Sequence, residues 1–167
     1  ARLRFGSGAD AVDVSGVTLP GLPGIAVGSN GRIAWSFTNS YGDFFDWVEV
    51  KFSDESRTRY RVAGGERELV RVDETIRVRG TPAETLAVHE TDFGPIAHES
   101  EALGTLAAAW TAHHPRALNL DLLRLESARD VAEALAIARR IGMPAQNFIA
   151  GDAQGAIGWT VTGAVPR

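Results

Sequence analysis

The chain has 167 residues, 44% apolar and 23% charged, which suits one globular domain or a large part of one and excludes disordered, collagen-like and coiled-coil chains. Its formal charge of −4 argues against a general nucleic-acid binder, and no apolar run approaches the ~18 residues a membrane-spanning helix requires. Cysteine is absent, so disulfides, thiolate metal sites and cysteine nucleophiles are excluded together.

Residue 1 is Ala, and Ala1-Arg2-Leu3-Arg4-Phe5 already alternates apolar and charged. This predicts a start inside a strand with no signal peptide, and hence a processed or truncated chain; Gly163–Arg167 reads as a loop cut short. Gly24–Gly28 and Arg32–Thr38 flank Asn30-Gly31, which predicts antiparallel strands at Ile25–Val27 and Ile33–Phe37 joined by a tight turn centred on that pair. Phe45–Phe52 alternates, with Phe45, Trp47 and Glu49 on one side. Tyr60–Val62 and Glu68–Val72 bracket Gly64-Gly65 as a second hairpin, and Thr75–Arg79 and Thr85–Thr91 continue the strand pattern. Strands this frequent imply an antiparallel or mixed sheet.

Helical signals come later. Asn119 is read as the cap of a short helix carrying Leu120, Leu123 and Leu125, and Ser127 as the cap of a longer one with Asp130 in its first turn. Val131, Leu135, Ala138 and Ile141 then share one helical face, and Gly142 and Pro144 end the helix. Ala145–Ala150 and Ala156–Val161 close the pattern as two strands around the turn Gly151–Gly155.

Generic motifs give no catalytic machine. His89, His98, His113 and His114 lack the i, i+4 spacing of a helical zinc site, and the last two read as an exposed loop. No Ser occupies a Gly-x-Ser-x-Gly elbow, and Gly21-Leu22-Pro23-Gly24 matches no phosphate-binding fingerprint. In Gly42-Asp43-Phe44-Phe45-Asp46, two carboxylates and a carbonyl between them can supply oxygens to a hard cation, or form a turn aspartate and a solvated strand aspartate. Trp35–Asp43, dense in aromatic and small polar residues, can line a pocket, or be a core strand followed by a polar loop.

An ordered set of motifs then stands out: Leu19-Pro20-Gly21-Leu22-Pro23-Gly24, Gly28-Ser29-Asn30-Gly31-Arg32-Ile33-Ala34-Trp35, and Gly42-Asp43 with Asp46. Phe93-Gly94-Pro95-Ile96, Trp110-Thr111-Ala112, Pro144-Ala145-Gln146-Asn147-Phe148 and Gly155-Ala156-Ile157-Gly158-Trp159 follow. From about residue 15 onward the chain resembles the penicillin amidase (penicillin acylase) family of N-terminal-nucleophile hydrolases in motif order and spacing.

The resemblance implies an α+β fold of αββα type: antiparallel sheets with flanking helices. Residues 1–167 would be an internal part of one hydrolase domain in the second (β) chain, without the nucleophile segment and the C-terminal remainder. It implies a precursor cut into two chains, with a Ser at the new N-terminus whose own α-amino group is the general base. Asn39 falls where the family supplies a backbone N–H to the oxyanion hole, and Val27, Phe37 and Tyr41 where it lines the acyl pocket. Penicillin G acylases have an aromatic residue at the Val27 position and a small Ser at that of Phe37, so a phenylacetyl preference is unsupported here. Ser29 and Phe93 stand where the family usually has His. Asp43, the carbonyl of Phe45 and Asp46 match calcium ligands, the others coming from elsewhere in the full enzyme, and no organic cofactor is implied.

The function implied is hydrolysis of a linear amide: a β-lactam side-chain amide, an N-acyl homoserine lactone or a similar N-acyl amine. The partners implied are the α chain, the rest of the β chain and the small-molecule substrate, with no nucleic acid or membrane, in a periplasmic or secreted protein. This chain alone is expected to be inactive. The competing reading is a non-catalytic β-rich ligand-binding module.

Overall fold

The computed structural model describes residues 1–8 and 11–166. In chain order its strands are β1 (Arg2–Phe5), β2 (Val12–Val17), β3 (Val27–Ser29), β4 (Ile33–Asn39), β5 (Phe45–Glu49), β6 (Arg59–Val62) and β7 (Gly65–Glu68). They continue as β8 (Val70–Ile76), β9 (Glu84–Thr91), β10 (Gly94–Ser100), β11 (Gly104–Trp110), β12 (Gln146–Asp152) and β13 (Ile157–Thr162). A 3-10 helix covers Asp121–Ser127 and helix α1 covers Val131–Ala138. The chain divides into two compact units, Ala1–Phe44 with His114–Arg167, and Phe45–His113.

The first unit holds a six-stranded antiparallel sheet in the order β1-β2-β3-β4-β12-β13. Alternation gives it one apolar face: Ile33 and Trp35 of β4 and Phe148 and Ala150 of β12 are buried with Val14, Ile25, Leu122, Leu125, Ala134 and Ala138. Leu122 and Leu125 come from the 3-10 helix and Ala134 and Ala138 from α1, so the helices cover that face. Ile25 lies over a pair of opposed glycines. A Cβ on Gly16 would come within 2.1 Å of the Val27 carbonyl, and one on Gly28 within 2.3 Å of that of Ser15. Only hydrogen at both positions lets β2 and β3 approach so closely.

The β3–β4 hairpin forms with its turn one residue later than expected. Asn30 donates its N–H to the Ile33 carbonyl at 3.2 Å, placing Gly31 and Arg32 in the centre, with Gly31 at φ 81°. Asn30 does not take a left-handed conformation; its Oδ1 accepts from the N–H groups of Arg32 and Ile33, and its Nδ2 donates to the carbonyls of Glu126 and Ala128. Ile25 precedes the strand, and Ala26 instead donates its N–H to the Val17 carbonyl.

The capping assignments shift as well. Asp130, not Ser127, caps α1 and accepts from the Glu133 N–H at 2.8 Å. Ser127 closes the 3-10 helix, donating to the Arg124 carbonyl, and extended Ala128 separates the two helices. Asn119 sits one residue ahead of the cap position; its Oδ1 accepts from Asp121 and Gly142 and ties the start of one helix to the end of the other. Val131 and Ala138 are buried and Leu135 packs against the core, as the spacing predicts, but α1 ends at Ala138, after which Arg140 and Ile141 bond three residues back to Ile137 and Ala138, so buried Ile141 lies beyond the helix.

The second unit holds a sheet in the order β5-β11-β10-β9-β8 and the hairpin β6-β7. Its core is Val50, Tyr60 and Ala107 with Phe52, Val62, Leu69 and Ile96 against them. The predicted strand Glu68–Val72 is broken at Leu69, whose N–H goes to the Thr58 carbonyl and whose side chain enters this core; β7 pairs with β6 and β8 with β9. β8 ends at Ile76, short of the predicted Arg79. β2, β10 and β11 carry no strand signal in the reading above. Pro95 interrupts one pattern and Ala107-Ala108-Ala109 favours helix in another, and pairing with β5 and β9 overrides both.

Candidate functional site

Of the residues singled out from the sequence, Val27 lies on β3, Phe37 and Asn39 on β4, and Tyr41 and Asp43 in the segment that follows β4. Strand β4 is fixed on one side by seven register pairs with β12, from Ile33↔Asp152 to Asn39↔Gln146. On its other side it pairs with β3 only at Gly28↔Trp35 and Ser29↔Ala34. Ladder bonds alternate in direction along an antiparallel strand. The Ile33 carbonyl accepts from Asn30 on the β3 side, and the Asp152 N–H goes to Ala156 on the β13 side. The same alternation sends the Thr38 carbonyl toward β12 and the Asn39 N–H, trans to it across one peptide, toward the β3 side. Pairing there has stopped at Trp35, so among the described residues no ladder partner covers the Asn39 N–H, a strand-end donor.

Its surroundings are tied to β12. The Asn39 carbonyl accepts from Asn147 Nδ2 at 2.9 Å, and Asn147 Oδ1 accepts from Trp159 Nε1 at 3.2 Å. Ser40 Oγ donates to the Ala145 carbonyl at 2.8 Å. Phe37, half-buried, packs on Phe148 with ring centroids 5.3 Å apart. Val27 is half-buried in β3 opposite Val17. Tyr41 extends wholly into solvent, at 103% relative exposure, and the register that sets Gly28 opposite Trp35 puts Val27 on the opposite sheet face from Phe37, so the three are not brought together.

Asp43 is exposed at the end of the first unit. In the second unit, Phe45 and Asp46, both exposed, open β5 opposite Trp110 and Ala109, with the Phe45 ring edge-on to Trp47 at 5.1 Å. Among the described residues neither aspartate takes part in an ion pair, which leaves their oxygens open to a hard cation. Among the described residues no three His, Cys, Asp or Glu side chains converge as a metal cluster.

The sequence reading did not assign roles to Asn147, Trp159 or Ser40. Asn is unfavourable in strand interiors, so Asn147 within β12 is the one local signal that a side-chain amide has a task there. His113 is exposed, edge-on to Trp110 at 5.3 Å. His89 and His98 line a cavity of about 500 Å³ in the second unit beside Arg57, which lies over the Phe52 ring and pairs with Glu99.

The model of the family described as penicillin amidase matches residues 2–167. The chain belongs to the penicillin amidase family. The acyl-homoserine lactone acylase QuiP of Pseudomonas fluorescens (strain Pf0-1) is 33% identical over 159 residues, covering 92% of this chain and 19% of that protein. The penicillin acylase 2 proenzyme of Pseudomonas sp. (strain SE83) is 32% identical, covering 94% of this chain and 20% of the proenzyme. The solved structure of a thermostable penicillin G acylase from Alcaligenes faecalis superposes with a TM-score of 0.77 at 24% identity, covering 95% of this chain and 28% of the other. This chain thus has the α+β fold of the penicillin amidase family in part, and spans about one fifth of the length of the curated relatives it matches.

Proposed function

We propose that the full-length protein is an amide-hydrolysing acylase and that this chain supplies one wall of its active site. The observation that carries the reading is the uncovered Asn39 N–H at the end of β4, in a chain matched over residues 2–167 by the penicillin amidase model. In this reading an N-terminal Ser outside these residues attacks the substrate amide carbonyl. Its α-amino group takes the hydroxyl proton and passes it to the leaving amine, and water then cleaves the acyl ester. The Asn39 N–H donates to the oxyanion while the carbonyl carbon is tetrahedral.

Val27, Phe37 and Tyr41, which this chain alone does not bring together, line the acyl pocket only once other parts of the protein complete it. The substrate is a β-lactam side-chain amide, an N-acyl homoserine lactone or another N-acyl amine. The names of the relatives, penicillin acylase and acyl-homoserine lactone acylase, support that range. The Asp43 and Asp46 carboxylates and the Phe45 carbonyl hold a structural Ca²⁺ together with ligands from the rest of the protein. The protein is made as a precursor, cut into two chains, and acts in the periplasm or outside the cell.

The test is an assay of the full-length processed protein and of this chain alone against chromogenic acyl amides and N-acyl homoserine lactones. Turnover by the full-length protein only is expected. Equal turnover by this chain would place the nucleophile within these residues, and full-length protein inactive on every substrate would favour a ligand-binding module.

A further inference from the structure

We infer that Asn147, held by Trp159, is a positioning residue for the oxyanion donor of Asn39; the inference rests on the acylase reading above. A donor N–H is useful to a transition state only if it already points where the negative charge develops. Among the described residues the Asn39 N–H has no ladder partner, so its direction depends on the peptide groups on either side. The preceding one is held by the ladder, where Thr38 pairs with Asn147. The following one lies at the strand end, where the chain leaves the sheet; there its carbonyl accepts from Asn147 Nδ2 at 2.9 Å.

The Asn147 amide cannot turn over without losing both bonds. An indole N–H is a donor only, so Trp159 Nε1, 3.2 Å from Oδ1, must meet the amide oxygen and leaves the NH₂ for Asn39. Trp159 lies diagonally across the β12–β13 pair, opposite Ile149, and reaches Asn147 over the open face of the sheet. Ser40, tied to the Ala145 carbonyl, holds the next residue to the same strand. The path from Trp159 to Asn147 to the Asn39 carbonyl therefore restrains the strand end from which the donor projects, with no contact to substrate required.

The test uses the full-length protein and its best amide substrate. Asn147→Asp keeps the shape and the acceptor for Trp159 but has no NH₂. Loss of a whole oxyanion donor costs ~10²–10³ in kcat; a mis-aimed one should cost roughly tenfold or more, with KM changed less than about threefold and the thermal midpoint kept. Trp159→Phe should lower kcat less, and the double variant should be no slower than Asn147→Asp, because Trp159 acts through Asn147. Wild-type kcat in Asn147→Asp, or a loss carried by KM or by the thermal midpoint, overturns the positioning role. Should Asn147→Asp not fold, Trp159→Phe decides alone, and unchanged kcat there overturns it. A wild type inactive on all amides removes the acylase reading and this inference with it, whereas an active wild type with a fully active Asn147→Asp removes only the inference.

Discussion

In the unit formed by Ala1–Phe44 and His114–Arg167, one face of the sheet carries a 3-10 helix and α1, and Val14, Ile25, Leu125 and Phe148 are completely enclosed. In Phe45–His113 the β10–β11 register shifts between Ile96 and His98, and the enclosed apolar cluster is Val50, Tyr60 and Ala107, while Val70, Ile76 and Leu86 stay exposed on β8 and β9. Period-two alternation offers an apolar face in both units. Only a second layer converts that offer into a core.

The comparison breaks first at Phe148. Phe148→Ala removes a ring with no solvent exposure from the sheet–helix core and should cost about 3–5 kcal/mol. Leu86→Ala, at a residue 53% exposed, should cost about 0.5 kcal/mol or less. Urea denaturation of the full-length protein, followed by fluorescence, measures both. Comparable losses would mean that the β8–β9 face is covered as thoroughly as the core of the first unit.

The same contrast separates what the sequence could show from what it could not. The helical face of α1 and the β12–β13 pair around Gly155 were legible because each is written within about twenty residues in one period. The turn lies one residue later than an Asn-Gly centre predicts, because that rule takes positive φ at both positions, whereas the Asn30 side chain accepts from the N–H groups of Arg32 and Ile33. Strands β10 and β11 were not legible, because Pro95 and an alanine run contradict them locally and pairing decides. At the site, the family motifs single out Asn39, Tyr41, Asp43, Phe45 and Asp46 within one short stretch. The bond from Asn147 to Asn39 joins residues 108 positions apart, and no spacing rule reaches that far.

A sharper probe is the polar pin each unit places at the edge of its core. In the first unit Glu126, 6% exposed, accepts from the Ile25 N–H at 2.9 Å. In the second, the Tyr60 hydroxyl oxygen accepts from the Asp92 N–H at 2.7 Å, in a residue 1% exposed. Glu126→Ala leaves a buried N–H without its acceptor and should cost about 1–3 kcal/mol, while Glu126→Gln, which keeps a carbonyl oxygen there, should recover most of it. Tyr60→Phe should cost about 1–2 kcal/mol on the same grounds, the smaller figure because Asp92 is nearer solvent. Hydrogen exchange at the Ile25 and Asp92 amides should rise in the respective variants and not in the other.

Helix α1 belongs to the first unit, so its cap should matter there alone. Asp130→Ala removes the side-chain acceptor for the Glu133 N–H and should cost about 1 kcal/mol. Asp130→Asn should be close to neutral, because the amide oxygen replaces the carboxylate. Exchange in β5 through β11 should not respond. A change there as large as in α1 would show that the two units unfold as one.

The smallest effects compare two exposed carboxylates, one in each unit. In the first, the Arg2 guanidinium, hydrogen-bonded to Asp13, leads the causes that hold its carboxyl down to about 2 from the ordinary 3.8, with Arg4 adding to it. In the second, Ser56 and then Thr58 hydroxyls, with the N–H groups of Arg59 and Thr58, hold Asp54 well below 3.8. Both folded values are depressed, so both contributions are present above the ordinary carboxylate value and are lost as pH falls through the folded value. Asp13→Asn and Asp54→Asn should each lower the denaturation midpoint slightly at pH 7. For Asp13 the gap to wild type should close between pH 3.8 and about 2. For Asp54 closure should begin at 3.8 and extend lower. Salt distinguishes them further. Charge attraction between exposed groups is screened by added salt, whereas short-range bonds from hydroxyls and amides depend on it much less. Raising sodium chloride to about 1 M, where the screening length is ~3 Å, should therefore shrink the Asp13 effect and leave the Asp54 effect nearly intact. An Asp54 effect that shrinks equally would mean that its carboxylate is held by charge, through Arg57 or Arg59, rather than by the hydroxyls of its own loop.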